Sequence, residues 1–174
     1  MRGIFIFCLL IFISCSNALE EIESTYTDSM IFNGGQNVEI NYISDFLKFK
    51  VKATEMKTPS DGPKKNKKIQ FPKGINVYVY NKKSDTVATI IADEATECKT
   101  SKIIELKKNV LLRNFKDEQL NTEKLFWNQE TKNIYTDGFV TINTKSQTVM
   151  GFGFSSDENF KNYKLSNITG TIYP

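Results

Sequence analysis

The chain has 174 residues, with 23 Lys and Arg, 20 Asp and Glu, and no His. That length suits one domain, and a formal charge of +3 argues against bulk electrostatic binding of nucleic acid. The absence of His removes Ser-His-Asp and Cys-His catalysis and the usual zinc sites. The carboxylate pairs Asp93-Glu94, Asp117-Glu118 and Asp157-Glu158 are each adjacent in sequence. In a strand, neighbours point to opposite faces, so none of these pairs converges on a substrate. A glycosidase pair drawn from distant strands remains the open enzymatic alternative. The expectation is no catalytic residue, no metal and no cofactor.

Taken in order, the chain opens with Arg2 and an apolar run over residues 4–13. The run has the length of a signal peptide and is too short to span ~30 Å of hydrocarbon. Phe12-Ile13-Ser14-Cys15 resembles a bacterial lipobox. In that reading residues 1–14 are a lipoprotein signal peptide and Cys15 is acylated. Two or three acyl chains anchor firmly where one is marginal. Ordinary secretion with cleavage near Asn17-Ala18 is the alternative. Cys98 is then the one free thiol, which excludes a disulfide within the mature chain.

Residues 15–37 are polar and poorly periodic, and read as a lipid-anchored tether. Gly34-Gly35 lacks the Gly-Lys-Ser/Thr of a phosphate loop and reads as a turn. The folded domain is expected over 38–174. Leu47, Phe49, Val51 and Ala53 alternate with Lys48, Lys50 and Lys52, which predicts a half-buried antiparallel strand. Residues 58–68 hold two Pro, a Gly and four Lys. They read as a solvated loop or as a patch for an anionic partner. Residues 69–80 read as a strand pair around Pro72-Lys73-Gly74. Residues 87–97 have a helical composition. Residues 103–114, 119–142 and 149–154 predict strands, 155–162 a polar connection, and 163–173 a final strand pair at a sheet edge. Within 119–142 three short strands are expected, joined at 128–132 and at Asp137-Gly138, because Gly accepts positive φ at no steric cost.

The chain repeats itself. With Ile90, Leu120 and Val149 as unit starts, the period is about 30 residues, within the range of repeat architectures. Ile104, Ile134 and Tyr163 then align, as do Val110, Val140 and Thr169, and Leu112, Ile142 and Thr171. The template is strand, polar break, strand, and residues 68–80 are an earlier, weaker copy. The register makes 87–97 a strand despite its composition. Repeated strand pairs stack and bury their apolar faces, leaving either a closed core or a lipid-sized groove.

Several motifs resemble the LptC family of lipopolysaccharide-export proteins, in the form found in Bacteroidetes-type bacteria. They are T-E-x-L-x-W and I-Y-T-D-x-x-V-x-I within 119–142, F-P-x-G-I-x-V at 71–77, A-D-x-A at 92–95, and G-x-G-F-x-S-D at 151–157 followed by Phe160. The departure from better-known relatives is Cys15 in place of a transmembrane helix. The resemblance implies an all-β fold, an open twisted β-jelly roll of repeated antiparallel strand pairs. It implies a non-enzymatic part in lipopolysaccharide export at the periplasmic face of the inner membrane. Lipopolysaccharide acyl chains would come from an inner-membrane ABC transporter and go on to a periplasmic LptA-like bridge protein.

The repeat's in-register positions supply the expected groove lining: Ile69, Phe71, Ile75, Val77, Ile104, Leu106, Val110, Leu112, Ile134, Val140 and Ile142. Plain core packing is the alternative for each. Trp127 belongs either to the groove mouth or to the core. Gly151 and Gly153 are read as structural, at a close backbone approach or a bulge. Residues 166–173 are the expected edge toward the bridge protein, and 38–51 the edge toward the transporter. The competing reading is a surface lipoprotein acting as a carbohydrate-binding or adhesion module, with Tyr78 and Tyr80 as its platform. It is separated from the first by whether those tyrosines or Val77 and Val79 face the hollow.

Overall fold

The structure is a computed structural model that describes residues 34–43, 47–58 and 68–173. The expected signal peptide, Cys15, most of the expected tether and the lysine-rich stretch 59–67 lie outside the described residues. The folded unit, Phe32–Pro174, is all β among the described residues, with eleven strands in one antiparallel sheet.

The strands are β1 (Gly34–Ile43), β2 (Lys48–Lys57), β3 (Lys68–Phe71), β4 (Ile75–Tyr80), β5 (Thr86–Ala92), β6 (Glu94–Cys98), β7 (Ile103–Asn114), β8 (Gln119–Asn128), β9 (Asn133–Asn143), β10 (Thr148–Asp157) and β11 (Tyr163–Ile172). The pairings reduce to a meander. β3 and β4 form one interrupted pass between β2 and the β5–β6 pass, and β5 and β6 form another beside β7. Each later strand pairs with the next. Among the described residues β1 pairs only with β2 and β11 only with β10, so these are the edges of an unclosed sheet. β1 starts at Gly34, so residues 34–37, which the sequence reading puts in the tether, belong to the sheet.

Every pass from β2–β3 onward meets its neighbour with a one-residue slip near mid-strand, and β4–β5 carries a second near its end, at Val79/Tyr80. Lys107 faces Lys124 while Val110 faces Thr122, which is three steps on β7 against two on β8. The extra residue falls on alternate passes: on β3–β4 at Pro72-Lys73-Gly74, on β7 at Lys108-Asn109, on β9 at Asp137-Gly138, and on β11 after Ile168. These are β-bulges, which bend and twist the strand that carries them. They are also the polar breaks of the 30-residue repeat. Asp137-Gly138 is therefore no turn: β9 runs straight through it, and 119–142 holds two strands instead of three. Residues 163–172 are likewise a single strand rather than a pair.

The bulges line up and crease the sheet. Hydrogen bonds cross the crease: Gly74 N donates to the Asp93 carbonyl at 2.7 Å, and Asp93 N to the Lys108 carbonyl at 3.1 Å. Asn109 Nδ2 reaches Asp93 Oδ2 at 2.6 Å, and Lys108 pairs with Glu94 at 2.7 Å. On the next strands the Thr122 hydroxyl donates to the Phe139 carbonyl at 2.8 Å, and Gly138 N donates to Thr136 Oγ1 at 3.1 Å. Backbone groups freed by the bulges thus find partners, as buried polar groups must.

Folding along the crease brings opposite strand ends together. Phe49, at the start of β2, lies 4.4 Å centroid to centroid from Trp127, at the end of β8, although these strands are not neighbours. The core between the two half-sheets follows the period-two pattern, with Val51, Val77, Ile90, Leu106, Leu125 and Ile134 all buried.

Candidate functional site

The expected groove residues converge on one interior. Phe71, Ile75, Val77, Ile104, Leu106, Val110, Leu112, Ile134, Val140 and Ile142 are all buried there, and Ile69 packs against them half-buried. Val77 and Val79 face inward, and Tyr78 and Tyr80 alternate to the half-exposed outer side. In this state the column is tightly packed. Its open space lies at the mouth, where the two sets of strand ends meet.

The mouth holds a cavity of about 840 Å³. One wall comes from Leu47, Val87, Phe115 and the β4–β5 turn at Asn81–Asp85. The other comes from Lys132 and from the loop after β10, with Asp157, Glu158, Asn159 and Lys161. Its accessible lining is mostly apolar, and lysines and carboxylates bring both charges to it. Such an enclosure admits an amphiphile with its apolar part inward.

Buried polar groups brace this end. The Trp127 indole donates to Glu158 at 2.7 Å, and both are buried. The Tyr42 hydroxyl, from the edge strand β1, donates to Glu97 at 2.9 Å across the interior. Lys99 pairs with the same carboxylate at 2.8 Å. Tyr42 also meets the Trp127 ring edge-on at 6.2 Å. Trp127 is thus a core residue at the mouth, bridging both half-sheets. Burial and the nearby Glu118 push the Tyr163 phenol above its ordinary value. Hydrogen bonds from Ser101 lower the Cys98 thiol. Among the described residues no three His, Cys, Asp or Glu side chains gather as metal ligands would.

The expected glycines lie on β10. A Cβ on Gly151 would strike the Asn167 carbonyl of β11, and Gly153 has a φ of +75°. Sequence reasoning gave no site role to Glu97, to Glu158, noted only within a carboxylate pair, or to Phe160, noted only at the end of a motif. The first two carry no apolar signal. Phe160 does, as a lone aromatic in a polar run, yet it is 2% exposed.

An open antiparallel jelly roll with an apolar interior and a cavity between its strand ends defines the class: a β-trough protein. The family model described as lipopolysaccharide-assembly, LptC-related, matches residues 39–173. The chain belongs to the LptC family, whose members are non-enzymatic components of lipopolysaccharide transport associated with the periplasm and inner membrane. No curated protein matches it. Among the described residues no helix is long and apolar enough to cross a membrane.

Proposed function

We propose that this chain accepts lipopolysaccharide acyl chains from an inner-membrane ABC transporter into its interior and passes them to an LptA-like bridge protein. The observation that carries the reading is the apolar column lying under the cavity at the mouth. Acyl chains cross water only if shielded, since each exposed CH₂ costs ~0.8 kcal/mol. Contacts with Val, Ile, Leu and Phe are non-directional, so the lipid can slide along them. Val77 and Val79 facing inward, in place of Tyr78 and Tyr80, supports lipid over a sugar platform.

In this reading Cys15 carries the lipid anchor, and the two sheet edges make the protein contacts. β11 presents one free backbone edge, with Ile168, Ile172 and Tyr173 exposed near it. Such an edge pairs with a strand of the bridge protein by β-augmentation. β1 offers the equivalent edge toward the transporter.

The test is photo-crosslinking in cells with a benzoylphenylalanine probe at Phe115 or at Phe139. Phe115 lines the mouth and is 51% exposed; Phe139 lies on the outer face of β9 and is 45% exposed. Lipopolysaccharide adducts at 115 and not at 139 are expected. Equal labelling, or none at 115 in a folded, membrane-bound protein, would overturn the proposal.

A further inference from the structure

Phe160 is the most unusual residue of the mouth. Eight described residues other than glycine have positive φ, and seven are Asn, Asp, Ser or Lys, six of them in turns and bulges and Asn37 within β1. The eighth is Phe160, with φ +53°. Polar residues that bond locally visit this region readily, and a bulky side chain does not. The ring is nonetheless buried, at 2% exposure. Asn159 and Lys161 on either side line the outer cavity. Phe160 itself borders a void of only about 20 Å³, where apolar Leu112, Leu120 and Ile142 meet polar Asn114, Glu118 and Gln119. Phe160 therefore stands between the open cavity and the packed interior.

The loop that carries it closes on local bonds: Phe160 N donates to the Asp157 carbonyl at 3.2 Å, and Lys161 N to Asn159 Oδ1 at 3.0 Å. The Ser156 hydroxyl ties its two ends by donating to the Asn162 carbonyl at 3.0 Å. Glu158 accepts the Trp127 indole hydrogen bond. Against these, Asp157 Oδ1 is buried without a hydrogen-bond partner, which is costly. An unsatisfied oxygen and a strained aromatic in one six-residue turn make the inward state easy to leave.

We infer that Phe160 is a plug: the β10–β11 loop holds its ring in the place of the first acyl chain, and lipid enters as the ring swings out. The inference rests on the lipid reading of the interior. The ring and an alkyl segment are both apolar, so either fills the space beside Leu112, Leu120 and Ile142. An empty trough thus stays dry, and a loaded one has its loop displaced. Glu158 couples that displacement to Trp127.

Trp127 is the chain's one tryptophan, so its emission reports loop opening. The experiment is stopped-flow mixing of the full chain, reconstituted in nanodiscs, with lipopolysaccharide. The wild-type rate should level off as lipid rises, because opening limits it. Phe160→Ala should capture lipid about tenfold faster, as expected when a minor open state becomes the major one. If Phe160→Ala fails to fold, Ser156→Ala, which unties the loop's two ends and keeps both the ring and the Glu158–Trp127 bond, should speed capture in the same direction. Capture by wild type and variants at equal rates would overturn the plug and leave the lipid-holding trough standing. No lipid bound by any of them would overturn the trough, and the plug with it.

Discussion

Gly151→Ala tests how the trough keeps its outer edge. An added Cβ would collide with the Asn167 carbonyl oxygen and come within 3.0 Å of its carbon and 3.1 Å of Ile168 Cα. Relaxed carbon contacts lie near ~3.5–4.0 Å, so β11 must retreat by roughly 0.5–1 Å. The retreat opens the ladder where Gly151 faces Ile168 and Phe152 faces Asn167. Two weakened hydrogen bonds at about 1 kcal/mol each, plus overpacking of about 1–2 kcal/mol, outweigh the ~0.4–1 kcal/mol that Ala gains from a stiffer unfolded chain. The net loss is about 2–3 kcal/mol, or roughly 10 °C in Tm for a unit of this size. Because β11 has one neighbour, peeling it away is the easiest relief. Hydrogen exchange should therefore show β11 amides losing protection while β7 and β8 keep theirs. Gly170→Ala is the control. Its Cβ would meet only the end of the Met150 side chain, at 3.3 Å, and should cost under about 0.5 kcal/mol. A Gly151→Ala protein with wild-type melting and wild-type exchange would refute the reasoning.

Trp127→Phe should lower stability by about 2–4 kcal/mol in a thermal or urea melt. It leaves the buried Glu158 carboxylate without its indole donor and thins the contact with Phe49. A loss no larger than that of an exposed site would mean the indole is dispensable. The pH dependence of the β1 edge follows from Glu39. Its hydrogen bond with Lys50, aided by attraction to Lys50 and Lys52, holds the carboxyl below its ordinary value of 4.5. A depressed carboxylate stabilises the fold above its unfolded value, and that contribution disappears as pH falls through the folded one. Hydrogen exchange between pH 6 and pH 3 should show β1 losing protection as the pH drops below 4.5, and Glu39→Gln should remove that step. An unchanged profile in the variant would show that Glu39 does not set it.

The fold was legible where local pattern and long-range pairing agree. The alternation of Phe49, Val51 and Ala53 with lysines marks β2 without help. Residues 87–97 would pass for a helix, and the repeat register makes them β5 and β6. Asp137-Gly138 shows where local reading stops. The dipeptide has the same turn chemistry in a hairpin and in a bulge. What decides is that β8 and β10 continue on both sides of β9, a fact about residues up to 20 positions away. The inward face was readable from the repeat, because period two assigns faces. The mouth was not. Phe49 with Trp127, and Tyr42 with Glu97, meet only after the sheet creases, and no spacing in the chain encodes the angle of that crease. Phe160 could be read as a motif residue, but its burial was hidden for the same reason. It is buried beside Leu112, Leu120 and Ile142 of β7, β8 and β9, which meet it only in the folded sheet.

The extra residue on alternate strands separates two dimensions of the trough. The cross-section is set within each strand, by how many residues lie on either side of the bulge. The length is set by how many hairpins stand side by side. Because each hairpin carries its own bulge in the same register, gaining or losing one 30-residue repeat would change the length by about 10 Å, two strand spacings, and leave the bore untouched. Capacity for longer or more numerous cargo chains can therefore vary by duplication or deletion of whole repeats, with no core residue elsewhere having to be repacked.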